Sequence, residues 1–174
     1  AAPADDATPE ALRELGGRQG QKDAALPWAV LLGPLRRDQP VSVWAGPLSA
    51  ADPALLLDSP ARKQLVKRLV SGDSAVWLLV TSGKKKADNR AAKIIAEKTQ
   101  MLEEEMQLPP GIGEPGSELY SEIPLKIRFS TIRIARDDPA ERVFIDMLLA
   151  GQPSLKEEKG PLAFVAFGRT RVLG

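Results

Sequence analysis

The residues with the clearest chemical potential are a serine and three lysines in the segment SGKKKADN. Ser82 offers a hydroxyl group, and Lys84, Lys85 and Lys86 offer three adjacent positive charges. We expect a long helix to begin at about Asn89, so the lysines would lie just ahead of a helix N-terminus, where free backbone N–H groups favour anions. The segment predicts a binding site for phosphate, a carboxylate or an acidic side chain of a partner. A charge run more often marks a solvated loop, and that alternative stays open.

The chain contains neither cysteine nor histidine. Disulfides, cysteine nucleophiles, Ser-His triads, haem ligation of the usual kind and ordinary zinc sites are therefore excluded. The EF-hand loop, the Walker A loop and the Rossmann glycine fingerprint are also missing, and we predict no cofactor. The enzymatic alternative that survives would use Ser82, the three lysines or paired carboxylates on an anionic small molecule.

Composition describes one ordinary domain with an aliphatic core. The 174 residues are 43% hydrophobic and 27% charged, and 24 Lys and Arg are matched by 23 Asp and Glu. A nucleic-acid binder usually carries a clear basic excess, so we do not expect a nucleic-acid partner. No apolar run reaches the roughly 18 to 20 residues that cross a bilayer, so we expect no transmembrane segment.

Two acidic clusters have simpler explanations than a metal site. Asp137 and Asp138 are possible metal ligands, but Asp138 precedes Pro139 and suits a helix N-cap better. The run 103–105 consists of three consecutive glutamates, which point in different directions on a helix and cannot converge on one ion. We predict no metal site.

Periodicity and turn residues predict an alternating series of strands and helices. Three tryptophans fall in predicted strands and are expected in the core. The first predicted elements are a short helix at 9–15, a hairpin of strands 27–34 and 41–46, and a helix that is capped by Ser59-Pro60, carries the apolar stripe Leu65, Val66, Leu69 and Val70, and is ended by Gly72. A strand at 74–80 buried on both faces, a helix from Asn89 to Gln107, and a strand in 125–135 follow; the last strand either has a bulge near Ser130-Thr131 or is covered on both faces. The remaining elements are a helix capped by Asp138-Pro139, with Val143, Phe144, Met147 and Leu148 on one face, and a closing hairpin after Pro161. The tryptophans are Trp28, Trp44 and Trp77.

The order of these elements resembles the thioredoxin fold over residues 41–174. VSVWAGPLSAADP…LVSGDSAVWLLV is similar to the first strand, first helix and central strand, and IRIARDDPAERVFIDMLLAG to the third strand and its helix. GPLAFVAFGRTRV is similar to the hairpin that follows a cis proline, here Pro161. The resemblance implies an α/β fold with a central mixed sheet flanked by helices, here without the last helix. We expect residues 1–26 to form a tether with a short helix and residues 27–174 to form the domain.

The main departure from that family is the absence of its redox motif. SGKKKADN stands where thioredoxins carry Cys-x-x-Cys, so thiol–disulfide exchange is excluded. The resemblance implies that this loop and the turn before Pro161 form a partner-binding edge. Arg169 and Arg171 flank the closing turn, where they would either contact an acidic partner or lie on an exposed hairpin.

The first residues, AAPADDATPE, are typical of a trimmed precursor or of a fragment boundary. We expect an exported, non-catalytic binding or scaffold module of the bacterial cell envelope, in the periplasm or secreted, whose partner is another protein. One alternative is the enzyme or binding protein for an anionic small molecule. The other is a subunit of a larger assembly, completed by strand addition at PWAVLLGP.

Overall fold

The computed structural model describes residues 28–32, 42–47, 52–112, 115, 125–150, 152–168 and 171–173. The short helix expected at 9–15 lies outside these ranges. In chain order the elements are β1 (Trp28–Leu32), β2 (Ser42–Pro47), α1 (Asp52–Leu57), α2 (Pro60–Val70), β3 (Ala75–Thr81), α3 (Lys85–Glu105), β4 (Phe129–Ala135), α4 (Arg142–Ala150), a 3₁₀ helix (Pro153–Glu157), β5 (Leu162–Phe167) and β6 (Arg171–Leu173). The expected mixed α/β fold is confirmed.

The central strand β3 organises the larger sheet, whose strand order is β4-β3-β5-β6. Strand β3 runs parallel to β4 and antiparallel to β5, and β6 pairs antiparallel with β5. The side chains of Val76, Leu78, Leu79 and Val80 have no exposed surface. The prediction of a central strand buried on both faces is confirmed, and so is the closing hairpin.

Helices cover both faces of this sheet. Alternate side chains of a strand point to opposite faces, so Val76, Leu78 and Val80 share one face while Leu79 points to the other. Helices α2 and α4 supply the partners of the first set, and α3 also contacts β3 and β4. The core cluster on the first face contains Ala61, Leu65, Val76, Leu78, Val80, Ile132, Ile134, Phe144, Ile145, Leu148, Leu162, Phe164 and Ala166. The domain thus has three layers, with α2 and α4 on one side and α3 on the other.

Helix α2 begins and ends as its sequence predicts. Ser59 is the N-cap, and its Oγ accepts a hydrogen bond from the backbone N–H of Arg62 at 3.3 Å. Pro60 occupies the first helical position, where a missing N–H costs nothing. Gly72 adopts a positive φ of 94° just after the helix, a conformation that side chains with a Cβ rarely adopt.

The apolar stripe expected on α2 is divided in two. Leu65 is buried and Leu69 packs against the core, but Val66 is 49% exposed and Val70 is 68% exposed. Successive residues of an α-helix are about 100° apart, so positions 66 and 70 turn away from the face that positions 65 and 69 share. The grouping of all four valines and leucines on one buried face was wrong.

Strand β4 contains no bulge. Its residues pair with β3 in one continuous parallel register, from Phe129 opposite Ala75 to Ala135 opposite Thr81. The expected bulge at 130–131 is therefore wrong, because the strand begins only at Phe129. Leu125 lies before the strand and is 38% exposed, so its side chain does not have to point to the same face of the sheet as the buried Ile132.

The hairpin expected at 27–34 and 41–46 is present as the antiparallel pair β1 and β2, with Leu31 opposite Trp44. Among the described strands it forms a separate two-stranded sheet instead of joining β3. Strand β2 contacts α4, and Trp44 is buried as expected. Trp77 is half-buried, and the side chain of Trp28 lies outside the described part.

Helix α3 is the longest helix and differs from its expected bounds of 89–107. Near its C-terminal end, the carboxylate of Glu103 accepts a hydrogen bond from the backbone N–H of Phe129, which fixes the helix to the start of β4.

None of the helices in the described ranges combines the length and the apolar character that crossing a membrane requires.

Helices α2 and α4 are joined by the carboxylate of Glu141, which is only 3% exposed. Its Oε1 accepts a hydrogen bond from the backbone N–H of Ala61 at 2.7 Å, so a residue 80 positions away caps the first turn of α2. Asp138 caps a turn and not α4 itself, since its Oδ1 accepts from the N–H of Ala140 at 2.9 Å and the helix begins at Arg142. The expected cap of α4 by Asp138 was wrong because a turn lies between Asp138 and the first residue of the helix.

Replacing Glu141 by alanine should destabilise the domain by about 1–3 kcal/mol, because a buried backbone N–H would lose its acceptor. Urea unfolding followed by circular dichroism measures the change. The exposed Glu157→Ala variant serves as the control and should unfold close to the wild type. Equal unfolding midpoints for Glu141→Ala and Glu157→Ala would show that the Glu141 bond contributes nothing.

Candidate functional site

The loop between β3 and α3 is closed by Asp88. Its Oδ1 accepts hydrogen bonds from both the backbone N–H and the hydroxyl of Ser82, each at 2.8 Å. The hydroxyl oxygen of Ser82 in turn accepts from the N–H of Lys84 at 3.3 Å. Gly83 takes a positive φ of 82° between them. These bonds give the seven-residue segment 82–88 a fixed shape.

Hydrogen bonds from the backbone of Ser82 lower the pKa of Asp88 below its ordinary value of 3.8, and bonds from the Ser82 hydroxyl and the Gly83 backbone act in the same direction. A general base is most effective when its pKa lies near the working pH. The Ser82–Asp88 pair is therefore a weak arrangement for activating the serine hydroxyl at neutral pH. Its geometry serves to hold the loop.

The three lysines lie within the start of α3 and not ahead of it. Lys84 is the N-cap, without a side-chain capping bond, and Lys85 and Lys86 begin the first turn. The expected start at Asn89 was wrong because the bonds from Ser82 to Asp88 allow the helix to start four residues earlier. All three lysines are exposed and form no ion pair with any described residue.

Positive side chains are unfavourable beside a helix N-terminus, which itself carries a partial positive charge. Here the buried carboxylate of Asp88 in the first turns of α3 offsets part of that charge. Because Asp88 accepts from Ser82, it already takes up one of the loop's backbone N–H donors. Besides the first N–H groups of α3, the loop offers an anion the group of lysine ammonium ions.

Pro161 lies at the same end of the sheet as this loop. Val80 pairs with Leu162, so the residue before Leu162 is next to the carboxyl end of β3. Arg136, directly after β4, donates to the backbone carbonyls of Glu158 at 2.6 Å and of Gly160 at 2.7 Å. This arginine fixes the segment that leads into Pro161, and no sequence motif indicated it.

Arg171 lies at the other end of the sheet. Arg169 lies outside the described residues. The backbone of Arg171 pairs with Phe167, which pairs with Ala75 at the opposite end of β3. Strand β5 separates the two ends by about 17 Å at the usual rise per residue. Arg171 was expected beside the closing turn, and its pairing with Phe167 places it at that end of the hairpin. Its contact with an acidic partner stays a prediction.

A second polar cluster lies at that opposite end and was missed by sequence reasoning. The side chain of Asp73 is only 4% exposed, and its two oxygens accept from Arg128 Nε and from Ser130 Oγ. Arg128 also donates to the backbone carbonyl of Ser71 at 3.0 Å. The cluster lines an open cleft of about 510 Å³. The only local signal is a polar residue after Gly72, which any turn would carry.

The cluster's chemistry is structural. Both carboxylate oxygens of Asp73 are occupied by donors from the β4 side, so the residue joins the turn before β3 to the segment that enters β4. Within the described ranges, no group of three or more acidic residues is placed to hold a metal ion.

Replacing Asp73 by alanine should cost about 1.5–3 kcal/mol of stability, since hydrogen bonds to a charged group would be lost. The exposed Asp137→Ala variant removes the same charge and should behave nearly as the wild type in urea unfolding. If the two variants unfold at the same urea concentration, the Asp73 cluster has no role in stability.

Replacing Asp88 by asparagine keeps the acceptor oxygen and removes the charge. Because the folded pKa of Asp88 lies below 3.8, its carboxylate stabilises the fold above about pH 4, and that contribution is lost as the pH falls through the folded pKa. Wild type should therefore be more stable than Asp88→Asn at pH 7, and the gap should be smaller at pH 3. Urea midpoints at both pH values measure this, with Asp146→Asn as the control. A gap that is independent of pH would contradict the prediction.

No protein-family model, no curated protein and no solved structure matches this chain.

Proposed function

We propose that this domain is a non-catalytic, thioredoxin-like binding module, and that the edge formed by residues 82–86 and Pro161 binds an acidic surface of another protein. The observation that carries the proposal is the set of Lys84, Lys85 and Lys86, exposed and without ion pairs among the described residues, on a loop that Asp88 holds in place. A fixed loop loses little conformational entropy when it binds.

The arrangement of elements supports the thioredoxin-like part of the proposal. Helix α3 connects two parallel neighbouring strands, β3 and β4, and the antiparallel β5–β6 hairpin completes the same mixed sheet after Pro161. That is the order on which the resemblance rests. The separate β1–β2 sheet departs from it, since β2 was expected as the first strand of the domain.

The absence of cysteine and the low pKa of Asp88 both favour binding over catalysis at this edge. Thiol–disulfide exchange would lack its thiolate nucleophile. The hydroxyl of Ser82 donates a hydrogen bond to the carboxylate of Asp88, whose low pKa makes it a poor general base. An acidic protein surface fits better, because three lysine side chains spread over a helix start match several carboxylates at once.

The proposal predicts that a Lys84/Lys85/Lys86→Ala variant loses binding to a fluorescent deca-glutamate peptide and to its partner in a native extract. A matched variant with Lys98, Lys126 and Lys156 changed to alanine removes the same charge from exposed positions elsewhere and should keep both. Fluorescence anisotropy measures the peptide, and cross-linking with mass spectrometry identifies the partner.

Equal losses in the two variants would mean that net charge, and not this loop, governs binding, which would contradict the proposal. Tight binding of inorganic phosphate that displaces the peptide would favour the small-anion alternative. Circular dichroism confirms that each variant is folded.

A further inference from the structure

The cleft beside Asp73 lies where α2, the turn before β3 and the start of β4 meet, and it carries an excess of positive charge. Its volume of about 510 Å³ falls within the usual range of small-molecule sites. Among the described residues that line it, Lys67, Arg68 and Arg128 are cationic and Asp73 alone is acidic. Three cations and one carboxylate leave the cleft with a net charge of +2.

The two arginines of the cleft are held in place by backbone carbonyls. Nη1 of Arg68 donates to the carbonyl oxygen of Thr131 at 2.8 Å, and Nη2 of Arg128 donates to that of Ser71 at 3.0 Å. Arg128 also donates from Nε to Asp73. Since a guanidinium group has five N–H donors, Arg68 keeps four and Arg128 keeps three that have no partner among the described residues. The cleft thus offers donors on two fixed side chains.

Basic side chains in the last turn of a helix often serve to bond its free carbonyls. In α2 the backbone already does this: the carbonyl oxygens of Lys67, Arg68 and Leu69 accept from the N–H groups of Ser71, Asp73 and Gly72, respectively. Within the described ranges, Lys67 forms no ion pair and the hydroxyl of Ser71 forms no hydrogen bond. The ammonium group and the hydroxyl therefore remain available to a ligand in the cleft.

Charge and donor geometry favour a phosphate group as that ligand. A phosphate monoester carries about −1.5 to −2 charges at pH 7, which matches the net charge of the cleft better than the single charge of a carboxylate. Its terminal oxygens point in several directions, and the guanidinium fork suits them. The cleft is many times larger than the roughly 30 Å³ of one water molecule, so it has room for an organic group beside the phosphate.

We propose that this cleft binds a small phosphate monoester, whose phosphate group is held by Lys67, Arg68 and Arg128. Asp73 is a positioning residue, because both of its oxygens are engaged and it acts through Arg128. The cleft lies beside the start of β3 and the loop at 82–88 follows its end, roughly 20 Å away at the usual rise of a strand. The inference is therefore independent of the proposed function.

Calorimetric titration with phenyl phosphate tests the site. Lys67→Glu should raise the dissociation constant by about tenfold or more, because it cancels the positive excess of the cleft. Lys98→Glu makes the same change of charge at an exposed position of α3 outside the cleft and should bind as the wild type does. Arg68→Gln should weaken binding to a similar extent, with urea unfolding to confirm that the variant is folded. Lys67 is exposed and makes no bond that the fold requires, so its variant tests the site even if Arg68→Gln is unstable.

Two further titrations separate this site from other anion binding. The Lys84/Lys85/Lys86→Ala variant should bind phenyl phosphate with the wild-type affinity. Benzoate, which carries one charge on a planar carboxylate, should bind the wild type about tenfold more weakly. Equal affinities for phenyl phosphate and benzoate would overturn the assignment to phosphate. Equal dissociation constants for Lys67→Glu and Lys98→Glu, or no binding by the wild type, would overturn the site itself.

Discussion

The whole domain depends on the burial of β3 on both faces and along both edges. Four of its seven side chains have no exposed surface, and a strand this apolar has no stable position at the rim of a sheet. Its edges require β4 and β5 as hydrogen-bonding partners, and its faces require helices on both sides. The three-layer arrangement, the position of the loop at 82–88 and the position of Pro161 all follow from that one strand.

A second level of organisation consists of single charged side chains that connect distant segments. Asp73 joins the turn before β3 to Arg128, Glu103 joins α3 to the start of β4, and Glu141 caps α2 from the start of α4. Glu141 satisfies a buried backbone donor and Asp73 a partly buried partner charge, while the Glu103 bond lies at the surface. The aliphatic core supplies the driving force for folding, and these bonds select the register in which helices meet the sheet.

Local signals predicted the parts of the fold that are determined locally. A few neighbouring residues are enough to predict the buried strand β3, the N-cap at Ser59 and the helix end at Gly72. The start of α3 was missed, because it depends on a side-chain bond between Ser82 and Asp88 that helix propensity does not contain. In the candidate site, the strand pairing places the loop after β3 and Pro161 at the same end of the sheet, and their role as a partner-binding edge stays a prediction. Arg171 lies at the opposite end of β5, and only the strand pairing shows how far it is from Pro161.

The pairing of β3 with β5 has a consequence for how the chain folds during synthesis. Val80 pairs with Leu162, about eighty residues later, so one edge of the buried strand β3 stays open while those residues are made. At ordinary translation rates this interval is about 4–16 s. Such long-range closure makes folding slow, and an open apolar edge can pair with other chains in the meantime. The nascent domain is therefore most vulnerable to aggregation before β5 arrives, and a chaperone that shields β3 during that interval would raise the yield of folded protein.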